Sequence, residues 1–203
     1  MNKSLQILII IVIVSFSSLN AEDYVITING ISKEIGLDKE TILILPDGTS
    51  LNLTLHQKEY LLFTGDFFSF EHKNEYKANR NDLGDGVFQT MIATPLGTGI
   101  LVQEYMQMNP THLVDFMLNE LTKEEVDYGY EYSEEKVSKK VGDITFTGKQ
   151  AVTTYPGEEW TRIVLAYGWK DKGILIITFI EKDNYQNERE LIEHLWESFE
   201  IVE

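Results

Sequence analysis

The chain has 203 residues, 17 of them basic and 33 acidic, for a formal net charge of −16, and it contains no cysteine. A polyanion of this kind repels phosphate backbones and anionic lipid surfaces, which proteins bind mainly through Lys and Arg. The missing cysteines exclude a disulfide framework, a thiolate nucleophile and zinc–cysteine sites.

Residues 1–21 read apart from the rest. Lys3 gives a short positive start, Ile7 to Val14 form an unbroken apolar run, and Ser15, Ser17 and Ser18 lead to Asn20 and Ala21. Charge, apolar run and small polar residues in that order are the pattern of a secretory signal peptide, with cleavage expected after Ala21. The run is shorter than the roughly 20 apolar residues a spanning helix needs, so no stable membrane insertion is expected after cleavage. The mature chain is expected in the periplasm or outside the cell, and export without disulfides suits a bacterial envelope. About 180 residues remain, enough for one domain with a sizeable core.

From Tyr24 to Leu55 the sequence reads as short strands. Tyr24, Ile26 and Ile28 alternate with Val25 and Thr27 before Asn29-Gly30, a strong hairpin signal. Ile42 to Leu45 leads into the turn Pro46-Asp47-Gly48, and Leu51, Leu53 and Leu55 then alternate with Asn52 and Thr54. Residues 22–60 are therefore expected to form a β-hairpin extension, and residues 61–203 an α+β domain. In that domain Phe67 to Phe70 predicts a strand, and Glu71 to Gly86 a polar loop. Val87 to Thr94 and Ile100 to Met106 predict a strand pair joined at Pro95 to Gly99. Asn109-Pro110 is a helix start, an N-cap acceptor followed by a ring suited to the first helical position. Leu113, Val114, Met117, Leu118 and Leu121 then give one apolar face at helical spacing.

Three long strands are expected over residues 129–141, 144–154 and 159–169. Gly173 to Ile180 is almost wholly apolar and β-branched, as in a central strand covered on both faces. A helix from about Tyr185 to Trp196 carries Leu191, Ile192, Leu195, Trp196 and Phe199 in one stripe, and Phe199 to Val202 closes as a short strand. Helices do not alternate with every strand, so the class is α+β with antiparallel sheet.

Phe68-Ser69-Phe70, Ala93-Thr94-Pro95, the strand through Gly148, the apolar run Gly173 to Ile180 and the closing Ser198-Phe199 together resemble the PsbP-like family, over about two-thirds of the chain. DcrB-like bacterial envelope proteins of unknown function share that fold. The Tyr-Pro usual after the opening strand is replaced by His72-Lys73. The resemblance implies an antiparallel sheet with helices packed on it, and a binding, assembly or stabilising role without a shared active site.

Among chemistry-bearing residues, Tyr128, Tyr130 and Tyr132 fall two apart, and a strand through them would present three rings on one face. Trp160, Tyr167 and Trp169 add aromatic area, and exposed aromatic platforms bind sugars, peptides or proteins. Buried, the same rings are core. Asn79, Asn81, Asp82 and Asp85 crowd a glycine-containing segment and form a weak calcium candidate, although their order does not fit an EF-hand. His56, His72, His112 and His194 lack metal-ligand spacing. The acidic run from Glu120 to Glu135 reads as a solvated face. No Gly-x-Ser-x-Gly or phosphate-loop motif occurs, and no cofactor is implied. The expectation is a non-catalytic binding or assembly factor whose partner is another envelope protein. The alternative is a binder of a small ligand, a sugar or peptide, through the aromatic strand face. A carboxylate-based hydrolase ranks last.

Overall fold

A computed structural model describes residues 24–202 of the chain, and the expected signal peptide lies outside the described residues. The chain divides into two compact units, with the break between Gln57 and Lys58. No helix among the described residues is long and apolar enough to cross a membrane.

The first unit contains two successive hairpins where one was expected. Strands β1 (Tyr24–Ile28) and β2 (Ile31–Ile35) pair antiparallel around Asn29 and Gly30, whose φ values are 50° and 81°. Two successive positive φ angles make the turn whose twist matches that of paired strands. β3 (Glu40–Ile44) and β4 (Ser50–Thr54) form the second hairpin. The Leu45 N–H donates to the Thr49 carbonyl at 2.8 Å, and the Asp47 carboxylate accepts from the Thr49 N–H at 2.9 Å.

The second unit begins earlier than the sequence suggested, because β5 (Tyr60–Thr64) pairs with β6 (Phe68–Lys73) and belongs to its sheet. Then come β7 (Asn79–Gly84), β8 (Val87–Ala93) and β9 (Gly99–Tyr105). Pro110–Leu113 form a 3-10 turn, with the Asn109 side chain accepting from the Thr111 N–H at 3.0 Å as the cap signal predicts. Helix α1 (Val114–Tyr128) follows and ends at Gly129, whose N–H donates back to the Glu125 and Val126 carbonyls. Strands β10 (Glu131–Val141), β11 (Ile144–Tyr155), β12 (Glu158–Trp169) and β13 (Lys172–Glu181) follow, then α2 (Tyr185–Ser198) and β14 (Glu200–Ile201).

These strands make a seven-stranded antiparallel sheet in the order β10-β11-β12-β13-β9-β8-β7 and a three-stranded sheet β14-β6-β5. The polar loop expected between Glu71 and Gly86 is in part a strand, β7. Its alternation is hidden because all of its residues are exposed at the sheet edge. On β13, Ile174 and Ile176 face one core with Leu165, Phe146, Phe68, Phe70 and the α2 residues Leu191 and Leu195. Leu175 and Ile177 face the other, with Val164, Ala166 and the α1 residues Val114 and Leu118. The large sheet is therefore a middle layer, with α1 on one side and α2 with the small sheet on the other. This is the α+β, antiparallel arrangement expected from the sequence.

Polar bridges tie the layers. The Arg162 guanidinium, on β12, forks onto the Glu125 carboxylate of α1, with Nη1 to Oε2 at 2.8 Å, and Thr153 Oγ1 donates to the same oxygen at 2.6 Å. On the other side, the Tyr60 ring lies 4.0 Å from the His194 ring of α2, and Lys73 pairs with Glu190 at 2.9 Å.

Two substitutions test this architecture. Leu175 is wholly buried on the central strand, so Leu175→Ala lowers unfolding free energy by about 2–5 kcal/mol. A Cβ on Gly148 would stand 1.9 Å from the Val164 carbonyl oxygen, an approach no side chain tolerates. Gly148→Ala should therefore cost more than about 3 kcal/mol, against about 1 kcal/mol for Gly157→Ala, where a positive φ is the sole penalty. Denaturant titration of the variants measures both.

Candidate functional site: an aromatic cleft beside the closing strand

The aromatic residues singled out in the sequence do not gather on one surface. Tyr128 ends α1, Tyr130 precedes β10 and Tyr132 lies within it, so the helix terminus breaks the strand face they were expected to share. Tyr128 is 72% exposed, and it and Tyr130 close instead on Tyr155, with ring centroids 5.5 and 4.9 Å from it. The Tyr130 hydroxyl donates to Glu158, which with partial burial pushes that phenol up to about 12. Tyr132 pairs with Thr153 in register and lies on the α1 side of the sheet. Trp160 shares that side, its ring 5.4 Å from the Arg162 guanidinium.

Tyr167 and Trp169 alternate onto the opposite side, and they are brought together with residues the sequence reading passed over. Their ring centroids are 5.4 Å apart, and Phe67 meets Trp169 edge-on at 5.3 Å. With Ile144, Ile201 and Lys172 they line a cleft of about 460 Å³. Asp66 and Val202 complete its rim.

Each lining residue is placed by a definite local cause. The two-residue turn Lys170-Asp171 sets Lys172 opposite Trp169, and directly opposed side chains on antiparallel strands are neighbours. Lys170 adopts a φ of 57° to make that turn. Ile201 is held by β14 pairing on β6, and the Val202 N–H donates to the Phe67 carbonyl at 2.9 Å. Phe67 sits on the turn between β5 and β6, which a buried carboxylate anchors. Glu104 on β9 is wholly buried and accepts from the Asp66 and Phe67 N–H groups at 2.6 and 2.8 Å. Arg80 donates to its other oxygen at 3.0 Å and also pairs with Asp66. Gly65 is required there, because a Cβ would stand 2.7 Å from the Glu104 oxygen.

A second cavity, of about 320 Å³, lies between α1 and the strands β10 and β11. Lys149 pairs there with Asp115 at 2.8 Å and with Glu134 at 2.6 Å, and the Tyr132 hydroxyl donates to Glu134 at 2.6 Å. The Lys149 and Tyr132 hydrogen bonds hold the Glu134 carboxyl below its usual 4.5. Burial, and then the bond to Glu134, push the Tyr132 phenol up to about 12.

Asn79, Asn81, Asp82 and Asp85, the calcium candidate, are spread along a strand and its turn. Asn81 opposes Gln89, Asp82 opposes Phe88 on the other face, and the Asp82 carboxylate accepts from the Gly84 N–H at 2.8 Å. Asp85 sits in the turn with a φ of 52°. Among the described residues, no group of three or more His, Asp or Glu side chains gathers as a metal site.

The fold of the chain is similar to that in the solution structure of cyanobacterial PsbP (CyanoP) from Synechocystis sp. PCC 6803. Identity is 8% over 71% of this chain and 93% of that one, with a TM-score of 0.49. A crystal structure from Bacteroides thetaiotaomicron VPI-5482 is 13% identical, over 72% of this chain and 49% of that one, with a TM-score of 0.43. No family model matches the chain, and no curated protein does. At such identities the likeness is one of fold alone, and it assigns no role to any residue of the cleft.

Two predictions follow from this geometry. Glu104→Ala leaves the two backbone donors of the β5–β6 turn and part of Arg80 without their acceptor, and should cost about 3 kcal/mol in denaturant unfolding. Glu134 titrates lower folded than unfolded, so its stabilising contribution is present above its usual value of 4.5 and is lost as the pH falls through the lowered value. Lys149→Met removes the principal cause, and melting temperatures recorded from about pH 5 to about pH 3 should fall less steeply in that variant.

Proposed function

We propose that this chain is an exported, non-catalytic binding protein that takes a small ligand in the cleft lined by Phe67, Tyr167 and Trp169. The observation that carries this reading is the shape of the aromatic surface. A flat aromatic patch would favour docking of another protein, whereas these rings line a concavity of about 460 Å³, within the usual range for small-molecule sites. Aromatic faces bury a large area with few rotatable bonds, which suits them to flat or apolar ligands.

A binding role rather than a hydrolytic one is supported by how the carboxylates are used. Glu104, Glu125, Glu134 and Glu190 are each engaged by a cation, and where a second acid stands near, as Asp66 by Glu104 and Asp115 by Glu134, the same cation pairs with both. Hydrolysis by a carboxylate pair needs two acids facing one bond, one of them held protonated. Export rests on the signal-peptide pattern of residues 1–21, and an envelope setting follows from it.

A second reading has its own observation. The Tyr128, Tyr130 and Tyr155 cluster at the end of α1 is an exposed aromatic surface of the kind that partner proteins engage, which suits an envelope assembly factor.

A thermal-shift screen of small sugars, peptides and aromatic acids against the wild type and Trp169→Ala tests the first reading. Compounds that raise the wild-type melting temperature should lose their effect in the variant. Stabilisation that survives Trp169→Ala and disappears in the double variant Tyr128→Ser, Tyr155→Ser would move the site to the tyrosine cluster.

A further inference from the structure

The cleft of this strongly acidic chain is lined by a cation, Lys172. Lys172 Nζ lies 5.0 Å from the centre of the Phe67 ring and 5.3 Å from that of Trp169, over two rings that meet edge-on. It lines the cleft and is partly buried there. Among the described residues it forms no ion pair, unlike the other cations near the carboxylates discussed above. The carboxylate on the same rim, Asp66, is engaged by Arg80, which also holds the buried Glu104. The acid on the cleft's own rim is thus committed elsewhere, and among the described residues the ammonium beside the rings has no carboxylate partner.

An ammonium with three donors and no acceptor is a directed site for an anion. The ring faces hold it by cation–π attraction, which fixes its position without neutralising its charge. In a chain of net charge −16, long-range repulsion works against any anionic ligand. Binding of an anion therefore depends on a local cation close to the contact surface, and Lys172 is the cation the cleft provides.

Resting on the reading of the cleft as a ligand site, we infer that its ligand is a small organic anion: a flat, apolar or aromatic body that packs against Tyr167 and Trp169, bearing a carboxylate or similar group that accepts from Lys172 Nζ. The apolar body is held by area, and the anion is selected by one charge-assisted hydrogen bond.

Two probes of the same shape separate the contributions, indole-3-acetate and its neutral amide, indole-3-acetamide, titrated into the purified full chain by calorimetry. The wild type should bind the acid more tightly than the amide by about fivefold or more. In Lys172→Met the two should bind alike, at the affinity of the amide in the wild type, and Lys172→Arg should restore the preference. Equal affinities in the wild type, or a preference unchanged in Lys172→Met, would overturn the charge inference while leaving the cleft as a binding site. Binding of neither probe would overturn the inference and the cleft reading together. Melting temperatures of the three proteins confirm that the comparison is made between folded chains.

Discussion

Strand β13 has no wet face, and the second unit is organised around that constraint. Its residues from Gly173 to Thr178 are buried, with Ile174 and Ile176 in one core and Leu175 and Ile177 in the other. An element apolar on both sides must be covered on both sides, so one strand obliges the chain to supply two layers. Helix α1 covers one side, and α2 with the three-stranded sheet covers the other. The flanking strands β12 and β9 extend the same two faces, each alternating its side chains between the two cores.

The buried polar groups inside this frame act as rivets between its layers. Glu104 projects from β9 into the α2 side and there binds the backbone of the β5–β6 turn, joining the small sheet to the large one. Arg162 projects to the other side and joins β12 to α1 through Glu125. Each is a buried or half-buried charge with a partner and further hydrogen bonds, the condition under which such groups are tolerated. The cleft is a by-product of the first rivet. Fixing Asp66 and Phe67 leaves a gap between that turn, the β12–β13 turn and the short closing strand, lined by Phe67 from the first, Trp169 and Lys172 from the second and Ile201 from the third.

Much of the fold was legible along the chain. The Asn29-Gly30 turn, the Asn109-Pro110 helix start, the α1 stripe and the apolar run of β13 each state a local preference that nothing elsewhere opposes. The errors fell where local pattern was weak. β7 has no buried side to give it a period, and it looked like a loop. Tyr128, Tyr130 and Tyr132 have strand spacing, but Gly129 ends a helix between them, and its left-handed φ of 114° separates the first ring from the rest. The cleft was half legible: Tyr167 and Trp169 were recognised as aromatic area, while Phe67, Ile144, Lys172 and Ile201 were not joined to them. Lys172 alone carried a signal, since a two-residue turn after Trp169 would set it opposite that ring.

What the sequence determined by itself is most of the elements, because helix and strand periodicity, caps and turns are written within a few residues of one another. It also determined the sign and size of the net charge. Which face of which strand meets which helix was decided only by tertiary structure. The cleft needs Phe67, Trp169 and Ile201 within a few ångströms, and those residues are brought together by sheet order and by the buried Glu104, neither of which leaves a mark at their own positions. Contacts between distant residues follow from burial of the whole apolar surface at once, and no local window contains that constraint.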